Sequence, residues 1–142
     1  MVSKMEINKI LINKAIEATN FAYVPYSKFR VGAALLAKNG KIYTGCNIEN
    51  ASYTPTNCAE RTAIFKAVSE GVRDFEKIAV VGGPDGNLLE TCSPCGVCRQ
   101  VIAEFADENF KIILGNSHDN FKVYNFFEEV LPLSFSKKDL EK

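Results

Sequence analysis

Three evenly spaced cysteines stand in the stretch TCSPCGVCRQ, residues 91 to 100: Cys92, Cys95 and Cys98. Pro94 stands where a helix start tolerates proline, so Cys95 and Cys98 should lie about one helical turn apart, and their sulfurs can face one point. The positive end of the helix and its free N–H groups favour thiolates there. A C-x-x-C pair alone is equally typical of a redox dithiol or of half a structural zinc site.

A second cysteine-bearing segment, NCAER at residues 57 to 61, narrows these alternatives. It places Cys58 at another predicted helix start and Glu60 two positions later. A structural site would need a fourth ligand, and a redox pair has no use for Cys58. Catalytic zinc sites take three protein ligands and leave the fourth position for water. Cys58, Cys95 and Cys98 are therefore candidate zinc ligands, and Glu60 is the candidate for handling protons, although an isolated glutamate there would be ordinary.

The hydrophobic pattern predicts the elements that would position these residues. Their order indicates one α/β domain over residues 1–142, with three layers, a mixed sheet of about five strands between helices, and a flexible tail at 136–142. The first predicted element is a helix with the apolar stripe Ile7, Ile10, Leu11, Ala15, Ala18 and Ala22, followed by strands near 29–37 and 41–48 around a tight Asn39-Gly40 turn. A helix from 57 or 58 to Gly71, a strand at 77–83 and a helix near 95–106 come next. The chain then has a strand at 110–116, a short strand near 121–124 and a helix at 126–131 capped by Asn125.

The predicted topology also brings the two cysteine-bearing segments together. They are joined by a crossover of the βαβ kind, which would place both helix starts at one edge of the sheet. Open α/β sheets bind ligands at such edges.

Composition excludes several classes of function. The chain has 142 residues, with 17 basic and 17 acidic side chains and no basic stripe, so a long nucleic acid is not an expected partner. No apolar run approaches the length of a membrane span, and the N-terminus lacks a signal-peptide core. We therefore expect a cytoplasmic protein whose clustered cysteines bind metal or act as catalytic thiols, because disulfides are rare in that compartment.

The two half-motifs, CAE at 58–60 and PCGVCRQ at 94–100, together resemble the signature of the small homotetrameric cytidine deaminases of the cytidine and deoxycytidylate deaminase family. The resemblance runs from about residue 8 to the Leu-Pro-x-x-Phe at 131–135. Its flanking pieces are YSKF at 26–29, VGAAL at 31–35 and GCNIENA at 45–51.

The resemblance implies hydrolytic deamination of cytidine and 2′-deoxycytidine, with release of ammonia, in pyrimidine salvage. It implies one Zn²⁺ per subunit, a homotetramer and a small-molecule nucleoside substrate. Zinc can lower the pKa of water to about 7, and Glu60 can take a proton from that water, deliver one to N3 of the base and help protonate the amine. Three thiolates weaken the pull of zinc on the water, and Arg61 is the cation expected to offset this by hydrogen bonds to the sulfurs.

Substrate-binding residues are implied by the same resemblance. Phe29 corresponds to the ring that stacks on the pyrimidine, and the backbone N–H of Ala59 suits O2 of the base. Asn47 and Glu49 alternate at the end of a predicted strand, so both point to one face, and by resemblance they bind the ribose 3′-OH. Phe135 matches an aromatic residue that a neighbouring subunit contributes in this family, although Leu133-Ser134 departs from the expected small residues.

Other interpretations remain open at this point. A near alternative is a nucleoside antibiotic deaminase of the blasticidin S type, although the motif NIEN at 47–50 favours a plain ribose. Outside enzymes, a zinc-stabilised binding module fits the cysteines, and an iron-sulfur or redox protein would use Cys92 as well. We expect Cys92 to be a bystander, Cys46 a buried hydrophobe and His118 a surface residue.

Overall fold

A computed structural model describes residues 2–141, and within them a sheet of five strands lies between helices. No helix in this range is long and apolar enough to cross a membrane. The elements are α1 (Lys4–Ala18), a 3-10 turn (Thr19–Phe21), β1 (Phe29–Ala37), β2 (Ile42–Cys46), α2 (Ala59–Ser69), β3 (Phe75–Pro84), α3 (Gly96–Phe105), β4 (Lys111–Ser117), β5 (Asn120–Asn125), a π-helical turn (Phe126–Val130) and α4 (Lys137–Leu140).

The strands lie in the order β2-β1-β3-β4-β5, which confirms the predicted mixed sheet. β1 is antiparallel to both β2 and β3, β3 is parallel to β4, and β5 is antiparallel to β4. Because β2 and β3 run in the same direction, α2 and α3 both begin at the edge of the sheet where those strands end. The cysteine-bearing helix starts therefore meet at one edge.

Two hydrophobic layers flank the sheet, because successive strand residues point to opposite faces. On one face, α1 packs through Leu11, Ile12 and Ala15 against Ala34, Leu36, Ala79, Val81 and Ile113. The other face packs against α2 and α3, and its strand residues are Ala33, Leu35, Ile78, Val80, Ile112 and Leu114. Full burial of an aliphatic side chain stabilises the fold by about 1.5–3 kcal/mol, so these two layers hold the three-layer architecture together.

Close packing of α2 on β2 depends on Gly45. A Cβ at this position would lie 2.5 Å from the carbonyl oxygen of Ala59 and 2.6 Å from the backbone nitrogen of Ala63. Only glycine allows that approach, which sets the start of α2 against the end of β2. The helix ends as predicted near Gly71, whose φ of +89° suits glycine after a helix.

The buried stripe of α1 differs from the prediction. Ile10 is 38% exposed, whereas Asn8 and Ile12 are buried. The reason lies in a polar contact that periodicity does not reveal: Asn8 Oδ1 accepts a hydrogen bond of 3.0 Å from the buried Lys77 ammonium. With Asn8 turned toward the sheet, Ile10 is turned toward solvent.

The predicted tight turn at Asn39-Gly40 joins β1 to β2, and one of its residues is left-handed. Gly40 has a φ of +90°, but Asn39 does not have a positive φ. Ala37 N–H donates to the Lys41 carbonyl at 2.9 Å, and Gly40 N–H donates to the Ala37 carbonyl at 3.0 Å. The loop therefore has three residues, with glycine alone in the left-handed region.

The predicted last helix is a single π-helical turn, Phe126–Val130. Asn125 occupies its N-cap position, but its side chain makes no capping bond. Lys111 donates to the Asn125 side-chain oxygen instead, and Glu129 accepts from the Asn125 backbone N–H at 2.7 Å. Within the tail, Ser136 and Asp139 form a capping box for α4. Met1 and Lys142, the ends of the predicted domain and tail, lie outside the described residues, and the flexibility of the tail stays a prediction.

Candidate active site

Three cysteine thiols meet where α2 and α3 begin. Cys58 is the N-cap of α2 and Cys95 the N-cap of α3, while Cys98 is buried in the first turn of α3. Their Sγ atoms all lie within 4.8 Å of one another, and the Cys58 and Cys95 sulfurs are 3.8 Å apart. Zn–S bonds of about 2.3 Å in a tetrahedral site separate two sulfurs by about 3.8 Å. The thiol cluster therefore has the dimensions of a zinc site.

Arg61 supplies positive charge beside this cluster. Its Nη2 donates a hydrogen bond of 3.3 Å to Cys58 Sγ. The pKa of Cys58 is lowered because the neighbouring Cys98 thiol and the Arg61 guanidinium both stabilise its thiolate. The same contact with Cys58, together with burial, raises the pKa of Cys98. One thiolate is thus stabilised before any metal binds, which favours capture of a cation.

Glu60 is buried beside the thiols, with 3% of its surface exposed. Burial, and secondarily the charge of Cys58, raise its pKa to about 7. Its Oε1 has no hydrogen-bond partner among the described residues. A buried carboxyl oxygen without a partner is costly, so this atom is suited to a ligand that the chain itself does not supply. At neutral pH the carboxyl can either accept or release a proton.

A cleft of about 370 Å³ opens over Glu60 and the thiols. Its size lies within the range of small-molecule sites. Apolar and polar groups share its wall: Phe29, Val31, Asn47, Thr56, Asn57, Cys58, Glu60, Leu89, Thr91, Cys92, Ser93 and Cys95. The structure therefore brings five predicted site residues to one cavity: Phe29, Asn47, Cys58, Glu60 and Cys95.

Asn47 and Glu49 hold the chain that carries Phe29. Asn47 Nδ2 donates to the Phe29 carbonyl at 2.8 Å, and its Oδ1 accepts from the Val31 N–H at 2.9 Å. Glu49 Oε1 accepts from the backbone N–H groups of Tyr26 and Ser27 at 3.0 and 3.1 Å. Both side chains thus make backbone contacts that the sequence does not predict. Each keeps hydrogen-bonding capacity, one amide hydrogen on Asn47 and Oε2 on Glu49.

Two other predicted residues, Ala59 and Phe135, are not among the residues that line this cleft. Ala59 is fully buried at the first position of α2, where the backbone N–H has no partner within the helix. Phe135 is 59% exposed and is not among the residues that line the cleft of its own chain. Its carbonyl accepts a hydrogen bond of 2.9 Å from Gln100.

Comparison with known proteins decides the family. Residues 5–114 match the cytidine and deoxycytidylate deaminase zinc-binding region. The chain belongs to the cytidine and deoxycytidylate deaminase family. It is 53% identical over 136 residues to a cytidine deaminase of Sporosarcina psychrophila, with 96% of each chain covered. Its structure resembles the crystal structure of a cytidine deaminase from Burkholderia pseudomallei, with a TM-score of 0.80, 44% identity and coverage of 89% of this chain and 97% of that one.

A blasticidin-S deaminase of Bacillus cereus is a more distant relative. It is 34% identical over 131 residues, which cover 89% of this chain and 91% of the relative. Its identity to this chain is lower than the 53% of the Sporosarcina psychrophila cytidine deaminase.

Zinc is the metal of this deaminase family, and the donor set here fits it. Thiolates are ligands that zinc prefers, and three protein ligands leave one position open. Glu60, whose Oε1 has no hydrogen-bond partner among the described residues, lines the same cavity as two of the thiols. A carboxyl that handles the protons of a zinc-activated water must lie close to the metal. The predicted cofactor therefore agrees with both the family and the thiol geometry.

Two residues at this site, Cys92 and Thr62, make contacts that the sequence does not predict, although Cys92 was expected to be a bystander. Cys92 lines the cleft without joining the thiol cluster, and burial raises its pKa to about 11. Its sulfur packs on Gly82, where a Cβ would lie only 2.7 Å away. A glycine inside a strand indicates close approach of another group to the backbone, so Gly82 is the sequence feature that could have predicted this contact.

Thr62 anchors the start of α2, and the sequence does not predict this role. Its Oγ1 lies 3.2 Å from the carbonyl oxygen of Cys58 and 3.0 Å from that of Cys46, and it accepts a bond of 3.0 Å from Asn57 Nδ2. A threonine in a helix gives no sequence signal for such a role.

Proposed function

We propose that this protein hydrolyses cytidine and 2′-deoxycytidine to uridine and 2′-deoxyuridine with release of ammonia. Support comes above all from one observation: a buried carboxyl with an unpaired oxygen lies beside three clustered thiols in a substrate-sized cleft. In the reaction a water oxygen bonds to C4 of the base, the C4–N bond breaks, and the amine leaves as ammonia.

Cys58, Cys95 and Cys98 would hold the zinc ion. When bound, zinc activates a water molecule by lowering its pKa toward neutrality. Glu60 would take one proton from the attacking water and deliver it to N3 of the base. It would then take the remaining proton of the new C4 hydroxyl and pass it to the amine nitrogen, which leaves as ammonia. A pKa of about 7 suits both directions of transfer at neutral pH. The Arg61 guanidinium withdraws negative charge from the Cys58 sulfur through its hydrogen bond and so strengthens the positive field of the metal site.

Two residues of the cleft wall, Phe29 and Asn47, and two residues outside its lining, Ala59 and Glu49, hold the substrate. Phe29 stacks on the pyrimidine ring, and the free N–H of Ala59 donates to O2 of the base. The remaining amide hydrogen of Asn47 and Oε2 of Glu49 bind the ribose 3′-OH. Because these two residues also fix the backbone around Phe29, sugar recognition and base stacking share the same support.

Glu60→Gln tests the proposal, because glutamine keeps the size of the side chain and loses the proton transfer. We expect full zinc content and a loss of turnover of at least about 10²–10⁴-fold, read from the ultraviolet change on adding cytidine. Glu104→Gln, a change at an exposed carboxyl of α3, is the matched control. Turnover retained in Glu60→Gln would contradict the mechanism and favour the alternative of a zinc-stabilised binding module.

A comparison of substrates tests the nucleoside assignment. Ammonia release from cytidine should far exceed release from blasticidin S, since identity to a cytidine deaminase is 53% against 34% for the antibiotic deaminase. Preferential release from blasticidin S would overturn the assignment.

The proposal extends to the assembly and its setting. We propose a homotetramer in which a neighbouring subunit supplies Phe135 to each cleft, since that ring is exposed and lies away from its own cleft. Elution near the monomer mass of 15.7 kDa in size-exclusion chromatography would refute it. A cytoplasmic location and a role in pyrimidine salvage complete the proposal, with no polynucleotide or membrane as partner.

A further inference from the structure

Arg99 links the metal-binding segment to the C-terminal part of the chain. Its Nε donates to the Pro94 carbonyl at 2.8 Å, and its Nη1 donates to the Val130 carbonyl at 2.6 Å. Pro94 immediately precedes Cys95, and Val130 is the last residue of the π-helical turn. One half-buried guanidinium thus bridges two backbone carbonyls that are distant in sequence.

Both carbonyls need a partner from outside their own element. The Val130 carbonyl ends its helical turn, where no further N–H follows in the helix. The Pro94 carbonyl lies just before the N-cap of α3, and proline 94 is buried. Arg99 satisfies both with two nitrogens of one rigid fork.

Cys95 depends on this arrangement more than the other thiols do. Cys98 is buried within α3, and Cys58 is contacted by Arg61. Cys95 is exposed, its side chain forms no capping bond, and the residues from 87 to 95 before the helix belong to no helix or strand. A ligand at the end of such a segment keeps its place only if the backbone beside it is held.

We propose that Arg99 is a positioning residue for the zinc ligand Cys95: by fixing the Pro94 carbonyl against the Val130 carbonyl, it holds the Cys95 sulfur at the distance from Cys58 that zinc requires. This inference rests on the proposed metal site. Arg99 touches neither substrate nor thiol, and it acts through the backbone that precedes Cys95.

Geometry, rather than charge, carries this role. The two acceptors are neutral carbonyls that bond to different nitrogens of the planar group, and no ion pair among residues 2–141 includes Arg99. A lysine has one compact ammonium at the end of a flexible stem and does not reproduce the fork. Arg99→Lys should therefore behave like Arg99→Met, although it keeps the charge.

The experiment measures zinc affinity by competition with a chromophoric chelator, on the full chain under reducing conditions. Variants of outer groups that orient metal ligands typically lose 10–100-fold in metal affinity, and we expect a loss of about that size for both Arg99→Met and Arg99→Lys. Gln100→Met is the matched control, because it removes the neighbouring bond to the Phe135 carbonyl and leaves the Pro94 contact intact. The control should bind zinc as tightly as the unaltered chain.

A second readout separates positioning from general stability. Cobalt(II) replaces zinc in thiolate sites, and its visible absorption reports the arrangement of the sulfurs. We expect altered cobalt bands in both Arg99 variants and unchanged bands in Gln100→Met. If Arg99→Met does not fold, Arg99→Lys decides by the same two measurements.

The outcomes are distinct. A lower melting temperature of the metal-free variant, with zinc affinity and cobalt bands unchanged, would overturn the inference and leave Arg99 a structural residue. Full affinity in Arg99→Lys with loss in Arg99→Met would also overturn it, in favour of a charge effect. Failure of the unaltered chain to bind zinc would instead refute the proposed metal site itself.

Discussion

The buried carboxyl of Glu60 makes the stability of the metal-free protein depend on pH. Its pKa is raised from the ordinary 4.5 to about 7, chiefly by burial. Between these values the folded chain keeps a proton on Glu60 that the unfolded chain has released, so the folded state loses stability as the pH rises. The contribution is complete below about pH 4.5 and is lost as the pH rises through about 7.

The size of the effect follows from the two pKa values. Their difference is about 2.5, and each pKa unit is worth about 1.36 kcal/mol, so the full contribution is roughly 3 kcal/mol. Between pH 5 and pH 8 the linkage relation gives a loss of about 2.5 kcal/mol. The group is almost fully buried, so solvent screening takes little from this figure.

Urea unfolding of the metal-free protein, followed by circular dichroism with chelator and reductant present, measures this loss. Other acids also titrate in this range, so the quantity compared is the free energy of unfolding of the unaltered chain minus that of Glu60→Gln. We expect the difference to fall by about 2.5 kcal/mol from pH 5 to pH 8. Glu104→Gln, at an exposed carboxyl of α3, is the matched control. A constant difference for Glu60→Gln would refute the assignment of a proton to the buried carboxyl.

Three further predictions concern the surroundings of the site. Asn47→Leu leaves the Phe29 carbonyl and the Val31 N–H without partners, which should lower the free energy of unfolding by about 1 kcal/mol for each. An unchanged melting temperature would show that the Asn47 amide serves only the substrate. Gly45→Ala places a Cβ 2.5 Å from a backbone oxygen of α2 and should destabilise the fold by about 1–3 kcal/mol in urea unfolding, whereas Gly96→Ala, which meets nothing within 4 Å, should not. Cys92→Val should leave one zinc per chain by metal analysis, because its sulfur lies outside the thiol cluster, and loss of zinc would make Cys92 a ligand.

The sequence predicts the residues that carry the chemistry of the site better than the hydrogen bonds that hold those residues in place. Cysteines at two helix starts, with a glutamate two positions after the first, were sufficient to indicate a metal and a proton carrier. The backbone contacts of Asn47 and Glu49 escaped prediction because they join residues about 16 to 23 positions apart, and no local pattern encodes such a pairing. The rotation of α1 had the same cause, since Asn8 is buried by a lysine 69 positions away.

Predictions from local sequence also differ from the structure where a contact with a neighbouring strand determines the hydrogen bonds of the segment. Asn125 stands at an N-cap and has a suitable side chain, but Lys111 on the neighbouring strand binds its oxygen, and Glu129 bonds its backbone N–H. At Asn39-Gly40 the pairing of Ala37 with Lys41 sets a loop of three residues, in which only Gly40 has a positive φ. In both cases strand pairing fixed the ends of the segment, and the turn or helix adapted to them.

The placement of the ligands explains why the two helix starts need help from elsewhere. Cys58 and Cys95 occupy N-cap positions, where a serine, threonine, asparagine or aspartate would contribute about 1 kcal/mol by capping. Neither cysteine caps its helix, so each helix start loses that contribution. At α2, the Thr62 hydroxyl lies against the Cys58 carbonyl; at α3, Arg99 holds the carbonyl before Cys95. Each start is thus anchored through a backbone carbonyl, and the Cys58 and Cys95 sulfurs, 3.8 Å apart, stay available to a metal ion.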